Sequence, residues 1–482
     1  MRLSGKTYLT ALLLAVYCSA AGAPWGRLFT PVRSHGTPAA GVHASGSRHI
    51  YRVTLRDKAG SSFSLSRPRE FLSRKAIERR ARQGLVPDST DLPVSRTYLD
   101  TIASAGVTVA GTSRWNNTVL IATDDTTAMQ AVAAMPFVTG CVQVWQRPDS
   151  IQKPSRENSY HESFNRWDTI AGSRYGAAAR QIEALGGTAL HDAGFRGQGM
   201  TIAVLDGGFR NADRIPAIRD IRIAGTADFT GGDKRSMYRG SDHGTKVLSA
   251  MGTNATDVYV GTAPEAAYWL MNCEDTGSEQ PVEEDYWTMA AETADSAGVD
   301  IINTSLGYTL YDGHRGDHRR SELDGRSALI SRTASMLAGK GIILVCSAGN
   351  SGMGPWKKIT FPGDAYDVLT VGALTEDGTN APFSGVGPTQ DGRVKPDVMA
   401  PGGPAAVISG RGTVVHSMGT SFATPLVCGL VACLWQALPH LTATEIMELV
   451  RHSGNNHTLP DNVSGYGLPD FGKAYETGKS MK

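Results

Sequence analysis

The chain has almost no charge of one sign to spare: 47 basic residues stand against 46 acidic ones, a net of +1. So small a surplus gives no global field for nucleic acid or an anionic membrane. Cysteine is scarce as well, six in 482 residues, and Cys18 falls within an N-terminal leader. The other five, Cys141, Cys273, Cys346, Cys428 and Cys433, are odd in number and lack metal-type spacing. That argues against a disulfide framework or a zinc site. They read as small buried hydrophobes, and Cys428 and Cys433, on one predicted helix, point to different faces. Long apolar runs are missing too. Beyond the leader no stretch approaches the ~20 apolar residues that span a bilayer, so no membrane span is expected.

What is present fits a globular chain of two or three units, with 41% hydrophobic and 19% charged residues. Its 55 glycines suit a fold with many tight strand-to-helix turns. At the start, Arg2 and Lys6 precede an apolar run from Tyr8 to Tyr17, followed by small residues up to Ala23. This reads as a secretory signal peptide over residues 1–23, with cleavage after Ala23 or, because Pro24 follows, after Ala21. The expected destination is outside the cytoplasm, secreted or periplasmic. Residues 24–48, rich in Gly, Pro, Ser and Ala, read as a linker.

Residues 49–148 then alternate between strand and helix patterns. Strands are expected at Ile50–Leu55, Val107–Ala110, Thr118–Ala122 and Val138–Trp145, and helices at Phe71–Arg82, Tyr98–Ser104 and Thr126–Met135. Such interleaving predicts a small α+β sandwich. The basic residues of the first helix, Arg74, Lys75, Arg79, Arg80 and Arg82, read as a solvated face. Residues 149–179 are polar and form a second linker, exposed and cuttable. From residue 180 to the end the texture changes to short, continuous apolar runs. Thr201–Leu205, Ala267–Met271, Val299–Ile302, Ile342–Cys346 and Val368–Val371 are the clearest, with helical stretches at Glu283–Ala297, Ala328–Ala338 and Ser421–Gln436. Buried strands alternating with helices predict a doubly wound parallel sheet, an α/β unit whose chemistry collects at the carboxyl ends of the strands.

Three polar residues sit at such ends. Asp206 closes Ile202-Ala-Val-Leu-Asp-Gly-Gly, His243 lies in Ser241-Asp-His-Gly-Thr, and Ser421 lies in Gly419-Thr-Ser-Phe-Ala-Thr-Pro at a helix start. Each alone reads as a turn, a cap or a helix N-cap. A Ser hydroxyl becomes a nucleophile only when a base takes its proton and a third group holds that base in the right tautomer. Asp, His and Ser in this order are one known solution.

With their flanks these segments resemble the subtilisin-like serine protease (subtilase) family: Val204-Leu-Asp-Gly-Gly, Asp242-His-Gly-Thr and Gly419-Thr-Ser-Phe-Ala-Thr-Pro match its aspartate, histidine and serine motifs. Ser347-Ala-Gly-Asn-Ser-Gly resembles the segment whose Asn completes the oxyanion hole, which assigns Asn350 with the Ser421 N–H as second donor. Asn303-Thr-Ser-Leu-Gly resembles the strand that pairs with substrate backbone, implying Ser305, Leu306 and Gly307, with Gly349 in the wall of the S1 pocket. The motifs run in family order over roughly residues 180–475, and Asp391-Gly-Arg-Val-Lys-Pro-Asp and Gly465-Tyr-Gly-Leu-Pro-Asp resemble subtilases of Bacteroidetes-type bacteria.

The resemblance implies a serine endopeptidase acting through an acyl-enzyme on protein or peptide substrates, as a monomer. It also makes residues 49–148 an autoprocessed propeptide and intramolecular inhibitor. No cofactor is required. The segment Gly252–Gly261, where many relatives hold calcium, offers Asn254 and Asp257 without a dense carboxylate set, which leaves a structural calcium open and assigns no metal ligand. Residues Tyr311–Arg326 are a charged insertion, read as a solvated loop near the substrate strand. Two other functions use the same parts. An amine in place of water would make a peptide ligase, separable by product masses. A catalytically dead scaffold would lack one of the four chemical residues, and all four are present.

Overall fold

The computed structural model describes residues 46–148, 173–231 and 236–481. The expected signal peptide lies outside the described residues, as do all but the last few residues of each expected linker.

Four strands, β1 (His49–Leu55), β2 (Thr108–Ser113), β3 (Thr118–Ala122) and β4 (Val138–Gln146), form an antiparallel sheet in the order β2-β3-β1-β4. Helices α1 (Arg74–Arg82), α2 (Arg96–Ser104) and α3 (Thr126–Ala133) complete the unit. Because side chains alternate across a strand, each strand serves two layers. Val53, Val119 and Ile121 pack with Ile102 and Val132 of α2 and α3. Ile50, Leu120, Ala122 and Val144 face the other way, onto the second unit. That is why β3 is buried along its whole length.

The second unit is a seven-stranded sheet with every pairing parallel. Its strands are β5 (Thr201–Asp206), β6 (Ile223–Asp228), β7 (Ala267–Asn272), β8 (Ile301–Thr304), β9 (Ile343–Ser347), β10 (Leu369–Thr375) and β11 (Val398–Gly403). They lie in the order β11-β10-β9-β8-β5-β7-β6, so β6 and β7 are laid down on one side of β5, and from β8 the chain winds outward on the other. The crevice beyond the carboxyl ends of β5 and β8 is the topological switch point, where doubly wound sheets place their sites. Helices α4 (His243–Gly252), α5 (Val282–Ala297), α6 (Leu329–Ala334) and α7 (Thr420–Ala437) are the ones that bear on it. By length and composition α7 would cross a membrane, but 89% of it is buried as the core helix of this unit.

Two expectations are corrected. The basic helix α1 is only partly a solvated face: Arg74 and Arg82 are exposed, but Arg79 and Arg80 are 0% and 1% exposed. Both pair with Asp295 of α5, Arg80 at 2.9 Å, and Arg80 also pairs with Asp91 at 3.0 Å. Arg114 reaches the same carboxylate at 2.6 Å. Lys75 pairs with Asp300 at 2.8 Å and Arg52 with Asp285 at 2.5 Å. The α5 face turned to the first unit is acidic, and burial of those arginines is sustained by pairing. The Tyr311–Arg326 insertion is likewise only partly solvated. His318 is packed on Phe361, ring centroids 4.2 Å apart, between Glu284 at 2.8 Å and Glu322 at 3.2 Å. Tyr311 donates its hydroxyl to Glu284 at 2.6 Å.

Candidate active site

Asp206 is the last residue of β5 and is fully buried. His243 opens α4, and its Nδ1 lies 2.9 and 3.0 Å from the two Asp206 oxygens. The close approach depends on the next residue: a Cβ on Gly244 would fall 2.5 Å from the Gly208 carbonyl and 3.0 Å from Asp206 Cβ. With Nδ1–H given to the carboxylate, the neutral imidazole presents Nε2 as an acceptor. Burial pulls the His243 pKa down, but the Asp206 charge and hydrogen bond outweigh it, so the pKa stands above 6.5.

Ser421 is the second residue of α7, buried at the positive end of a long helix. Its Oγ donates to the Ser305 carbonyl at 3.1 Å, and Ser305 Oγ returns a bond to the Ser421 carbonyl at 2.9 Å. The hydroxyl is thus parked on the strand after β8, with no hydrogen bond to His243, while Phe422 sits 5.6 Å from the imidazole. Rotation between staggered wells is what would move Oγ to Nε2.

Asn350 follows β9. Its side-chain oxygen accepts from Thr420 N at 2.9 Å and Thr420 Oγ1 at 3.0 Å. A backbone N–H can only donate, so this contact fixes the amide's orientation and leaves Nδ2 turned away from it. Ser305, Leu306 and Gly307 continue from β8, between the ends of β5 and β9. Gly349 has φ +85°, and a Cβ there or on Gly307 would fall 2.5 or 2.1 Å from Thr360 Oγ1. Thr360 therefore props both segments apart. It was not singled out in the sequence, since nothing in its local pattern marks it. Glu274 was missed too: its carboxylate lies over Gly207, one residue beyond Asp206. Among the described residues no three His, Cys, Asp or Glu side chains gather to hold a metal ion. Within Gly252–Gly261, the Asn254 oxygen accepts from Arg196 at 3.0 Å.

The model of the subtilase family matches residues 197–467, more than half of the chain and all of the segments just described. The chain belongs to the subtilase family. A second model, the peptidase S8 propeptide domain of Bacteroidota, matches residues 50–161 of this subtilase. Serine protease AprX of Bacillus subtilis (strain 168) is 31% identical over 303 residues, 56% of this chain and 65% of that protein. Subtilisin NAT of Bacillus subtilis subsp. natto is 29% identical over 271 residues, 55% and 63% respectively. The chain therefore spans somewhat under two thirds of the length of either relative. Among solved structures, the prenylagaramide maturation protease PagA superposes with a TM-score of 0.48 at 23% identity, covering 61% of this subtilase and 98% of that chain.

The propeptide sheet ends against the segment between β7 and α5. Gln146, the last residue of β4, exchanges bonds with Gln280: its N–H donates to the Gln280 side chain at 2.8 Å and its carbonyl accepts from it at 2.9 Å. Arg315 of the insertion holds the Gln146 side chain at 2.6 Å. The chain leaving β4 is thus fastened to the segment just ahead of α5.

Proposed function

We propose that this subtilase is a serine endopeptidase, with Ser421 as nucleophile, His243 as base and then acid, and Asp206 as the group that orients His243. The observation that carries the reading is the two-oxygen grip of Asp206 on His243 Nδ1 at the switch point, with Ser421 at the facing helix start. That grip selects the tautomer whose Nε2 can take the Ser421 proton and stabilises the imidazolium that forms. Attack on a peptide carbonyl places negative charge on its oxygen. The Ser421 N–H at the start of α7 and Asn350 Nδ2, oriented by Thr420, are the donors for it. A substrate strand would pair with Ser305–Gly307, and its N–H competes with the Ser421 hydroxyl for the Ser305 carbonyl, freeing that hydroxyl toward His243.

In the same reading, residues 49–148 are an inhibitory propeptide, the segment after β4 is the first bond cut, and the chain is exported by its leader. The Gln146–Gln280 exchange supports this, because it fastens the end of β4 to the segment just ahead of α5. The test is a fluorophosphonate probe on the wild-type chain and on Ser421→Ala. Wild type is expected to be labelled and to cut itself, and Ser421→Ala to do neither. Labelling or efficient self-cleavage of Ser421→Ala would overturn the assignment.

A further inference from the structure

We propose that Glu274 reads a basic side chain on the substrate residue second from the cut bond, the P2 position, and so gives this subtilase a preference for Lys or Arg there. The proposal rests on the site described above and adds a substrate class to it.

Three observations place a carboxyl without a hydrogen-bonding partner at that point. The chain after β7 is tied to the crevice by the Cys273 N–H, which donates to the Asp206 carbonyl at 3.1 Å. The next residue, Glu274, lays its carboxylate over Gly207, where a Cβ would stand 2.3 Å from Glu274 Oε2. Glu274 is half-buried and accepts no hydrogen bond among the described residues. Behind it, Glu283 is fully buried; one oxygen accepts the Asp275 N–H at 2.8 Å, and the other, Oε2, has no donor. Burial, then the charges of Glu279 and Asp206, hold the Glu274 carboxyl well above the ordinary range. Burial together with Glu279 and Glu274 does the same for Glu283. Carboxyls arranged in this way are short of a cation, and a partner charge close by is what restores their ionised form.

The topology says which substrate residue would bring it. Ser305–Gly307 runs between the end of β5, carrying Asp206 and Gly207, and the end of β9, carrying Gly349. Side chains of a strand paired there point alternately to the two sides. With the P1 side chain toward Gly349 and Thr360, the P2 side chain faces His243, Gly207 and Glu274. An ammonium or guanidinium carried by the substrate at P2 would supply the matching charge.

The experiment uses the matured enzyme and peptidyl anilides that share one P1 residue and differ at P2 as Lys, Arg, Ala or Glu. The ratio of kcat/KM for P2-Lys over P2-Ala is expected to be at least about tenfold in wild type. It should collapse toward one in Glu274→Gln and shift toward P2-Glu in Glu274→Lys. A wild-type ratio near one, or a tenfold ratio that survives in Glu274→Gln, overturns the proposal. Should neither variant mature, the wild-type ratio decides alone. A Ser421→Ala arm separates the two readings: residual hydrolysis there sinks the active-site assignment, whereas a flat P2 ratio with Ser421→Ala inert sinks only the role of Glu274.

Discussion

Replacing Asp295 by Asn is expected to loosen the whole first unit from the second. One buried carboxylate there takes Arg79 and Arg80 on one oxygen and Arg114, with a further Arg80 bond, on the other. Burial works against its ionisation, but the three guanidinium groups hold its pKa at about 2, against 3.8 in the open chain. That difference corresponds to about 2 kcal/mol of stabilisation from the charge itself. Because the folded pKa is depressed, this part is complete above pH 4 and is lost as pH falls toward 2. Asparagine keeps the shape but leaves the fully buried Arg79 with carbonyl partners alone, those of Lys340, Val299 and residue 295. Arg80 retains Asp91. Breaking one side of a buried pair costs about 3–5 kcal/mol, and the retained partners put Asp295→Asn near the lower end. The assay is urea unfolding of the full chain with Ser421→Ala as background, so that nothing is cut during the measurement. A loss under about 1 kcal/mol at pH 7 would refute the view that this carboxylate clamps the two units.

Other outcomes follow from the same geometry. Asn350→Ala is expected to fold normally and to lower kcat by about 10²–10³, the loss recorded for the equivalent donor of a subtilisin; a fall of less than tenfold would remove it as an oxyanion donor. With His243 in the proposed role of neutral base, the acid limb of kcat/KM should lie above pH 6.5, because Asp206 raises its pKa; a limb near pH 5 would contradict the pairing. All five cysteines of the described chain, Cys141, Cys273, Cys346, Cys428 and Cys433, are free, so thiol titration in denaturant should find them all, and a mass shift for a bridge would overturn that. Separately produced residues 46–148, shown to be folded, should inhibit the matured enzyme competitively against a small peptide, and no inhibition at high micromolar concentration would sink that role.

Much of the architecture was legible because its signals are local. The strand Thr118–Ala122 was bounded correctly at both ends, and Thr201–Leu205 and Ala267–Met271 each fell one residue short. There the last residue, Asp206 or Asn272, is polar while the backbone pairing runs on. The long helix expected from Ala328 breaks after Ala334 and resumes only as the short turn Ala338–Lys340, around Gly339 and Gly341. What could not be read is whatever depends on a distant partner. Arg79 and Arg80 have the spacing of a solvated stripe, and Asp295, some 215 residues later, joined by Asp91 for Arg80, makes them interior. His318 sits in a run of charges, and Glu284 with Phe361 draws it in. Asp206, His243 and Ser421 could be named from their flanks. The bond that parks Ser421 on Ser305, and the carboxylate of Glu274 above Gly207, belong to packing that no motif records.

The charge division across the α5 face has a kinetic consequence. Basic groups of the first unit meet Asp285, Glu292, Asp295 and Asp300, which are buried while the two units stay together. In the proposed maturation, cutting the connecting segment and losing the first unit would strip the α5 face and hand these carboxylates, with Asp300 just beyond the helix, to water. Opposite charges also steer the fragment back, at a rate that drops steeply as salt rises. The lag between cleavage and full activity should therefore shorten with ionic strength, making the salinity around the enzyme a timer on its release.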